Sequence, residues 1–238
     1  MADVLLTCIV LLGSSVQWLT GMGFALVAVP ALVLLLGPAE GVVLANCAAG
    51  VICCAGLTGG WRLVRPRAMV PFCAAAACTV PTGTWLARQL PEPWLLLVMG
   101  GLVTVAVLLV MRGFAVPALR GTRGAVAAGA AGGFMNSAAG VGGPPFSLYA
   151  VNAGWTVREF VPNAMFYGVI VNAFSVASNG VPGLRPAQWA LVLAAMTAGG
   201  LIGRGLATRI PEKRARLLVL LLALTGGVTA VAKGLWGL

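Results

Sequence analysis

Between residues 132 and 152 the chain reads GGFMNSAAGVGGPPFSLYAVN, an apolar segment of membrane-spanning length with a helix break at its centre. Gly140, Gly142, Gly143, Pro144 and Pro145 all oppose helix continuation. Glycine costs about 1 kcal/mol and proline about 3 kcal/mol in a helix interior, and proline also lacks the amide donor. The helix is therefore expected to stop there. Inside a bilayer such a break exposes backbone groups that lipid cannot satisfy, so it persists only where protein or a polar cavity surrounds it. A weaker copy, GSSVQWLTGMGFALVAVP, occupies residues 13 to 30. In it Gly21 and Gly23 align with Gly140 and Gly142, and Gln17 aligns with Asn136. The two breaks together form the candidate site.

The surrounding chain explains why a break here must be deliberate. Of 238 residues, 60% are hydrophobic and 8% charged, in apolar runs of about 20 residues, the length that crosses a bilayer core of roughly 30 Å. This composition specifies an integral, multi-pass membrane protein with the lipid bilayer as its first partner, and the cell (inner) membrane is its expected location. A net charge of +10 could suggest nucleic acid in a soluble chain. Here the basic residues lie between the apolar runs, where they orient spans, and nucleic-acid binding is excluded. Histidine is absent, which removes the usual general base and transition-metal ligand, so no metal, cofactor or histidine-dependent intramembrane protease is expected. Met1-Ala2-Asp3-Val4 lacks the basic start of a signal peptide, so the first apolar run is expected to remain in the mature protein. All six cysteines (Cys8, Cys47, Cys53, Cys54, Cys73, Cys78) fall in apolar runs of the first half. Cysteine in such surroundings usually behaves as a small buried hydrophobe.

The copied break belongs to a longer duplication. At one offset Gly13, Glu40 and Val42 match Gly132, Glu159 and Val161; one residue further along, Arg65-Pro66 and Pro91-Glu92 match Arg185-Pro186 and Pro211-Glu212. The chain is read as two repeats, 4–112 and 124–236, joined by a linker at 113–123 in one integrated membrane domain. Each repeat has one interrupted segment (4–36, 124–152) followed by three continuous ones (41–60, 68–89, 93–111; 160–180, 187–208, 214–236). If each interrupted segment crossed the membrane once, the basic residues would divide almost evenly between the two sides. If each dips in and returns, only Arg88, Arg185 and Lys233 of the 15 lie on the outer side, as the positive-inside rule prefers. The predicted fold is therefore all-α: two inverted repeats, each a broken re-entrant helical hairpin plus three transmembrane helices, with both termini outside.

Half-helices starting after Gly23 and Gly142 would present amino ends, each worth about +0.5 charge and carrying free N–H donors, to an anion. Gln17, Trp18, Thr20, Gly21, Gly23, Asn136, Ser137, Gly140, Gly142 and Gly143 are thus the candidate binding residues, although Ser, Thr, Asn and Gln also serve as interhelical glue. Asn163, Tyr167, Asn172, Ser175 and Asn179 fall in one span. Asn172, Ser175 and Asn179, at i, i+3 and i+7, share a helix face and either line a pathway or bind a neighbouring helix. Arg204 either snorkels to the nearer surface or attracts the anion. Glu40 and Glu159 are candidates for proton coupling, or acids placed at helix starts for the dipole alone.

With these motifs the chain resembles the TauE/SafE family of sulfite exporters, both in its duplicated halves and in the two polar-then-glycine segments quoted above. The family's glycine run followed by proline survives in Gly140, Gly142, Gly143 and Pro144, whereas the first copy keeps only Gly21 and Gly23 before Pro30. The resemblance implies a secondary transporter, not an enzyme, that exports small sulfur-containing or organic anions such as sulfite or sulfonates, acting as monomer or homo-oligomer. An anion channel using the same donors and a cysteine-based membrane sulfur-transfer protein are the alternatives.

Overall fold

The computed structural model describes residues 1–112, 121–207, 209 and 212–238. Most of the expected linker at 113–123, with Arg120, and Pro211 of the second Pro-Glu pair lie outside the described residues. Every regular element described is helical: α1 (Ala2–Thr20), α2 (Phe24–Leu36), α3 (Pro38–Leu57), α4 (Pro66–Gln89), α5 (Glu92–Met111), α6 (Gly121–Ala139), α7 (Gly143–Asn152), α8 (Val157–Asn179), α9 (Pro186–Ala207) and α10 (Glu212–Trp236), with a 3-10 turn at Trp61–Leu63. Proline opens α3 and α4, where its missing amide leaves no bond unmade. Gly37 and Gly180, both at positive φ, close α2 and α8.

Both expected breaks occur where the glycines stand. Gly21 (φ 77°) and Gly140 (φ 69°) adopt the left-handed conformation, and their amides bond back to the carbonyls of Gln17 and Asn136 at 2.8 Å. This is how an α-helix is ended by glycine. After each break the chain doubles back. The α-carbon of Gly13 faces Phe24 and Ala28, and that of Gly142 faces the Gly132 carbonyl and Asn136, so α1–α2 and α6–α7 are antiparallel hairpins. α2 has 13 residues and α7 has 10; at 1.5 Å per residue each is roughly 15–20 Å long, too short to cross a bilayer.

The helices pack through glycines. On α6, Gly129 and Gly133 sit against the carbonyls of Phe72 and Ala76, and on α4 Gly83 sits against Phe134 and Ser137, so α4 and α6 run parallel. On α9, Gly199 and Gly203 sit against the carbonyls of Leu11 and Ser15, and at the other end Asp3 accepts bonds from Arg185 (3.3 Å) and Gln188 (2.8 Å). α1 and α9 therefore also run parallel, and each hairpin holds a helix of the other half. In contrast, α3 and α8 are antiparallel, with Gly50 opposite Asn172 and Gly56 opposite Met165. The same holds for α5 and α10, with Gly100 against the Gly227 carbonyl and Gly234 against that of Pro93. Absent side chains at these glycines let backbones approach closely, the usual means of holding helices together where lipid is as apolar as leucine.

Among the described residues, six helices, α1, α3, α4, α5, α8 and α9, are long and apolar enough to cross a membrane. Large apolar side chains stand exposed on their outer faces, Val4, Leu12, Val51, Val70, Leu193 and Leu201 among them, as a lipid-facing surface requires. Inside, one apolar cluster gathers Leu6, Val10, Phe24, Leu32 and Leu44. A second is aromatic, built on Phe72, Phe146, Tyr149 and Tyr167. The two hairpin tips meet between them, where Met22 touches Gly143 and Ser147.

Candidate functional site

A cavity of about 60 Å³ lies where the tips meet, lined by Gln17, Gly21, Met22 and Gly23 of the first hairpin, Asn136, Gly142 and Gly143 of the second, and Tyr167 and Asn172 of α8. That is room for a few waters or one small polyatomic ion. No charged side chain lines it.

Gln17 organises the first wall. Its carboxamide oxygen accepts the amides of Gly23 (2.8 Å) and Phe24 (2.9 Å), and its nitrogen donates to the Gly21 carbonyl and to Met165 Sδ. The first four amides of any α-helix lack an intrahelical acceptor. Gln17 satisfies the two earliest in α2, while those of Ala25 and Leu26, which also line the cavity, have no acceptor among the described residues. Asn136 repeats the arrangement with a shorter side chain, its oxygen accepting the Gly142 amide at 3.2 Å. Here the sequence changes the outcome, because Pro144 and Pro145 stand where α2 has Ala25 and Leu26 and carry no amide donor. Only the Gly143 amide is left. The two amino ends are unequal, and the one without prolines is richer in donors.

The Asn136 nitrogen is a hub, within bonding distance of Asn46 Oδ1 (3.3 Å), Asn172 Oδ1 (3.1 Å) and Ser175 Oγ (2.9 Å). All four residues are buried. Beyond this hub a second cavity of about 360 Å³ is lined by Arg88, Glu92, Ser137 and Asn179. Asn172 faces the first cavity, Ser175 the hub and Asn179 the second, so the polar side chains follow α8 over about 10 Å.

The remaining candidates lie elsewhere. Thr20 bonds to the carbonyls of Val16 and Met22. Gly140 is buried against Val29 and Val42. Trp18 carries the Arg204 guanidinium 3.9 Å above its ring, a cation–π contact. Glu40 accepts the Gly183 amide at 3.0 Å. Glu159 closes a capping box with Thr156 and is paired with Arg65. Both acids thus tie one half to the other at helix starts, away from the tip cavity. Asn46 and Met22 belong to the arrangement but were not among the candidates; Tyr167, which also lines the cavity, was singled out only as one of the polar residues of its span. A polar residue in mid-span was the available signal for Asn46, hidden because its repeat position holds Met165.

This constellation, two fold-back hairpins meeting at an uncharged polar cavity, is accompanied by a family match. The sulfite exporter TauE/SafE model matches residues 5–230. The chain belongs to the TauE/SafE family. No curated relative and no solved structure matches it. TauE/SafE proteins are membrane transporters of the sulfite-exporter type, so the multi-pass architecture belongs to a transport protein.

Proposed function

We propose that this TauE/SafE protein is a secondary transporter that exports a small, singly charged sulfur oxyanion or organosulfonate, bound in the tip cavity. The observation that carries the reading is the pair of acceptorless amides at the start of α2, on the wall of a cavity with no charged side chain. Such donors favour an anion through the helix dipole. A dianion would bring a second charge into a site with only partial charges to meet it, and burying unpaired charge is costly. A small monoanion fits the charge as well as the volume.

The packing supports an inverted-repeat reading of the halves. Repeat-related helices lie antiparallel (α3 with α8, α5 with α10), and each hairpin lies parallel to the other half's third long helix. Transporters built this way alternate access by rocking one unit against the other around a fixed site. The Asn46–Asn136–Asn172–Ser175 hub stands between the two cavities, and it is the layer that must part for an ion to pass. Proton coupling gains no support from Glu40 or Glu159, since neither lines the tip cavity or the second cavity.

The test is flux in proteoliposomes loaded with sulfite or methanesulfonate. The reading expects saturable efflux, reduced roughly tenfold or more by Asn136→Ala, a change of about 1.4 kcal/mol or more in transition-state free energy. Linear, unsaturable flux with ionic currents would assign an anion channel. Absence of flux for every anion tried would end the proposal.

A further inference from the structure

The second cavity is bounded by the ends of four helices: Pro38 and Ala39 where α3 begins, Arg88 where α4 ends, Glu92 where α5 begins and Asn179 where α8 ends. Its floor includes Ser137, 1% exposed and next in sequence to Asn136 of the hub. Arg88 and Glu92 are exposed at its mouth. Among the described residues lining the two cavities, Arg88 alone is cationic. Its Nη2 donates to the Ser178 carbonyl at 2.9 Å. Ser178 lies in the last turn of α8, where a helix end favours a cation, but this contact uses only one of the several donors of a guanidinium. The others have no acceptor, and Arg88 has no ion pair, among the described residues. Arg185, by contrast, is paired with Asp3. Asn179, the neighbour of Ser178, donates to the Ser137 carbonyl at 3.4 Å. A short polar path thus joins Arg88 to the hub, with the cavity beside it.

We infer that the second cavity is a separate anion site, in which the uncommitted donors of the Arg88 guanidinium bind a sulfonate or sulfur-oxyanion group. The inference rests on the transport reading above and extends it, because it gives the pathway a second station across the hub from the tip cavity. The two cavities treat the ion differently. At about 60 Å³ the tip cavity takes a small anion nearly bare, and at about 360 Å³ the second has room for the anion with much of its hydration. A full positive charge at the mouth raises the local concentration of anions, and charge-assisted N–H bonds to anionic oxygens are strong. The Glu92 carboxylate and the carbonyl ends of α4 and α8 oppose that attraction. Binding is therefore weak enough for the ion to leave.

The probe is benzenesulfonate, whose ring is too large for the tip cavity: a cavity that takes benzene alone measures about 150 Å³. Calorimetric titration compares purified wild-type protein with Arg88→Gln, Arg88→Lys and Glu92→Gln, with a melting temperature for each, and sulfite efflux from wild-type proteoliposomes is measured alongside. We expect Arg88→Gln to weaken probe binding about tenfold, Arg88→Lys to weaken it less, and Glu92→Gln to tighten it by roughly two- to fivefold. Opposed shifts identify charge, because losing a contact to the end of α8 gives no reason for Glu92→Gln to bind better. Equal affinity in wild type and Arg88→Gln, or no binding by wild type, overturns the second site; saturable sulfite efflux in that case leaves the transport reading standing. Affinity and melting temperature that fall together in Arg88→Gln, with no gain in Glu92→Gln, show a structural arginine and also overturn it. Absence of saturable sulfite efflux overturns the transport reading and with it the place of Arg88 on a pathway.

Discussion

At the scale of residues, Gln17 does two things that pull in different directions. Its oxygen satisfies the amides of Gly23 and Phe24, which stabilises the start of α2, and in doing so it occupies part of the space an anion would use. Gln17→Ala should therefore lower the melting temperature, because losing a helix cap costs about 1 kcal/mol, which corresponds to roughly 2–4 °C for a chain of this size. A thermal melt in detergent checks this, and an unchanged melting point would mean that the cap contributes nothing. Gly21 supplies a harsher case. At φ 77° an alanine is strained by roughly 1–2 kcal/mol, and its methyl carbon would stand 2.7 Å from the Val161 side chain. Gly21→Ala is expected to expand the tip, with a lower melting temperature and loss of flux. Normal flux in this variant would mean that the tip has slack the packing does not show.

At the scale of elements, the two short helices carry the asymmetry. α2 begins Phe24-Ala25-Leu26 with every amide present, and α7 begins Gly143-Pro144-Pro145 with two missing. Replacing both prolines by alanine restores two donors to α7. If amino-end amides hold the anion, affinity should rise by a few fold, since a net hydrogen bond contributes about 0.5–1.5 kcal/mol. Calorimetric titration with sulfite reads this, and unchanged affinity would remove α7 from the site. This asymmetry also marks how far the sequence could be read. The breaks, their offset copies and nearly every helix end were legible, because glycine and proline act locally and hydropathy sets the lengths. The donor count was legible too, but the glycine run drew attention to the second copy, when prolines make it the poorer donor. The capping by Gln17 and Asn136 was not legible. It depends on each side chain reaching across a doubled-back turn, which periodicity does not encode.

At the scale of the whole molecule, each hairpin packs on a helix of the opposite half, an arrangement that two inverted repeats would produce. Arg65 and Arg185, matched in the sequence, each pair across the halves, though with acids that do not correspond, Glu159 at the start of α8 and Asp3 at the start of α1. Asn46 escaped the repeat logic because its counterpart, Met165, is apolar, whereas Tyr167 was legible as a polar residue of its span. If the halves are inverted repeats with three crossings each, tags at Met1 and Leu238 are both reached by impermeant reagents from outside intact cells. Access to either tag only after permeabilisation would contradict that topology. Cys53 lines the tip cavity, yet a carrier needs no thiol chemistry there. A variant with all six cysteines replaced should keep sulfite flux within about twofold of wild type, a change under roughly 0.5 kcal/mol.

The central claim, that the start of α2 holds an anion, is tested most directly by Gln17→Glu, assayed for saturable sulfite efflux from proteoliposomes alongside a thermal melt. A carboxylate at a helix amino end is favourable by about 0.3–1 kcal/mol, so the variant should fold at least as well as wild type while its own charge takes the place of the substrate. The account predicts a protein with an undiminished melting temperature and sulfite efflux lost. Efflux at the wild-type rate and with the wild-type KM would contradict it.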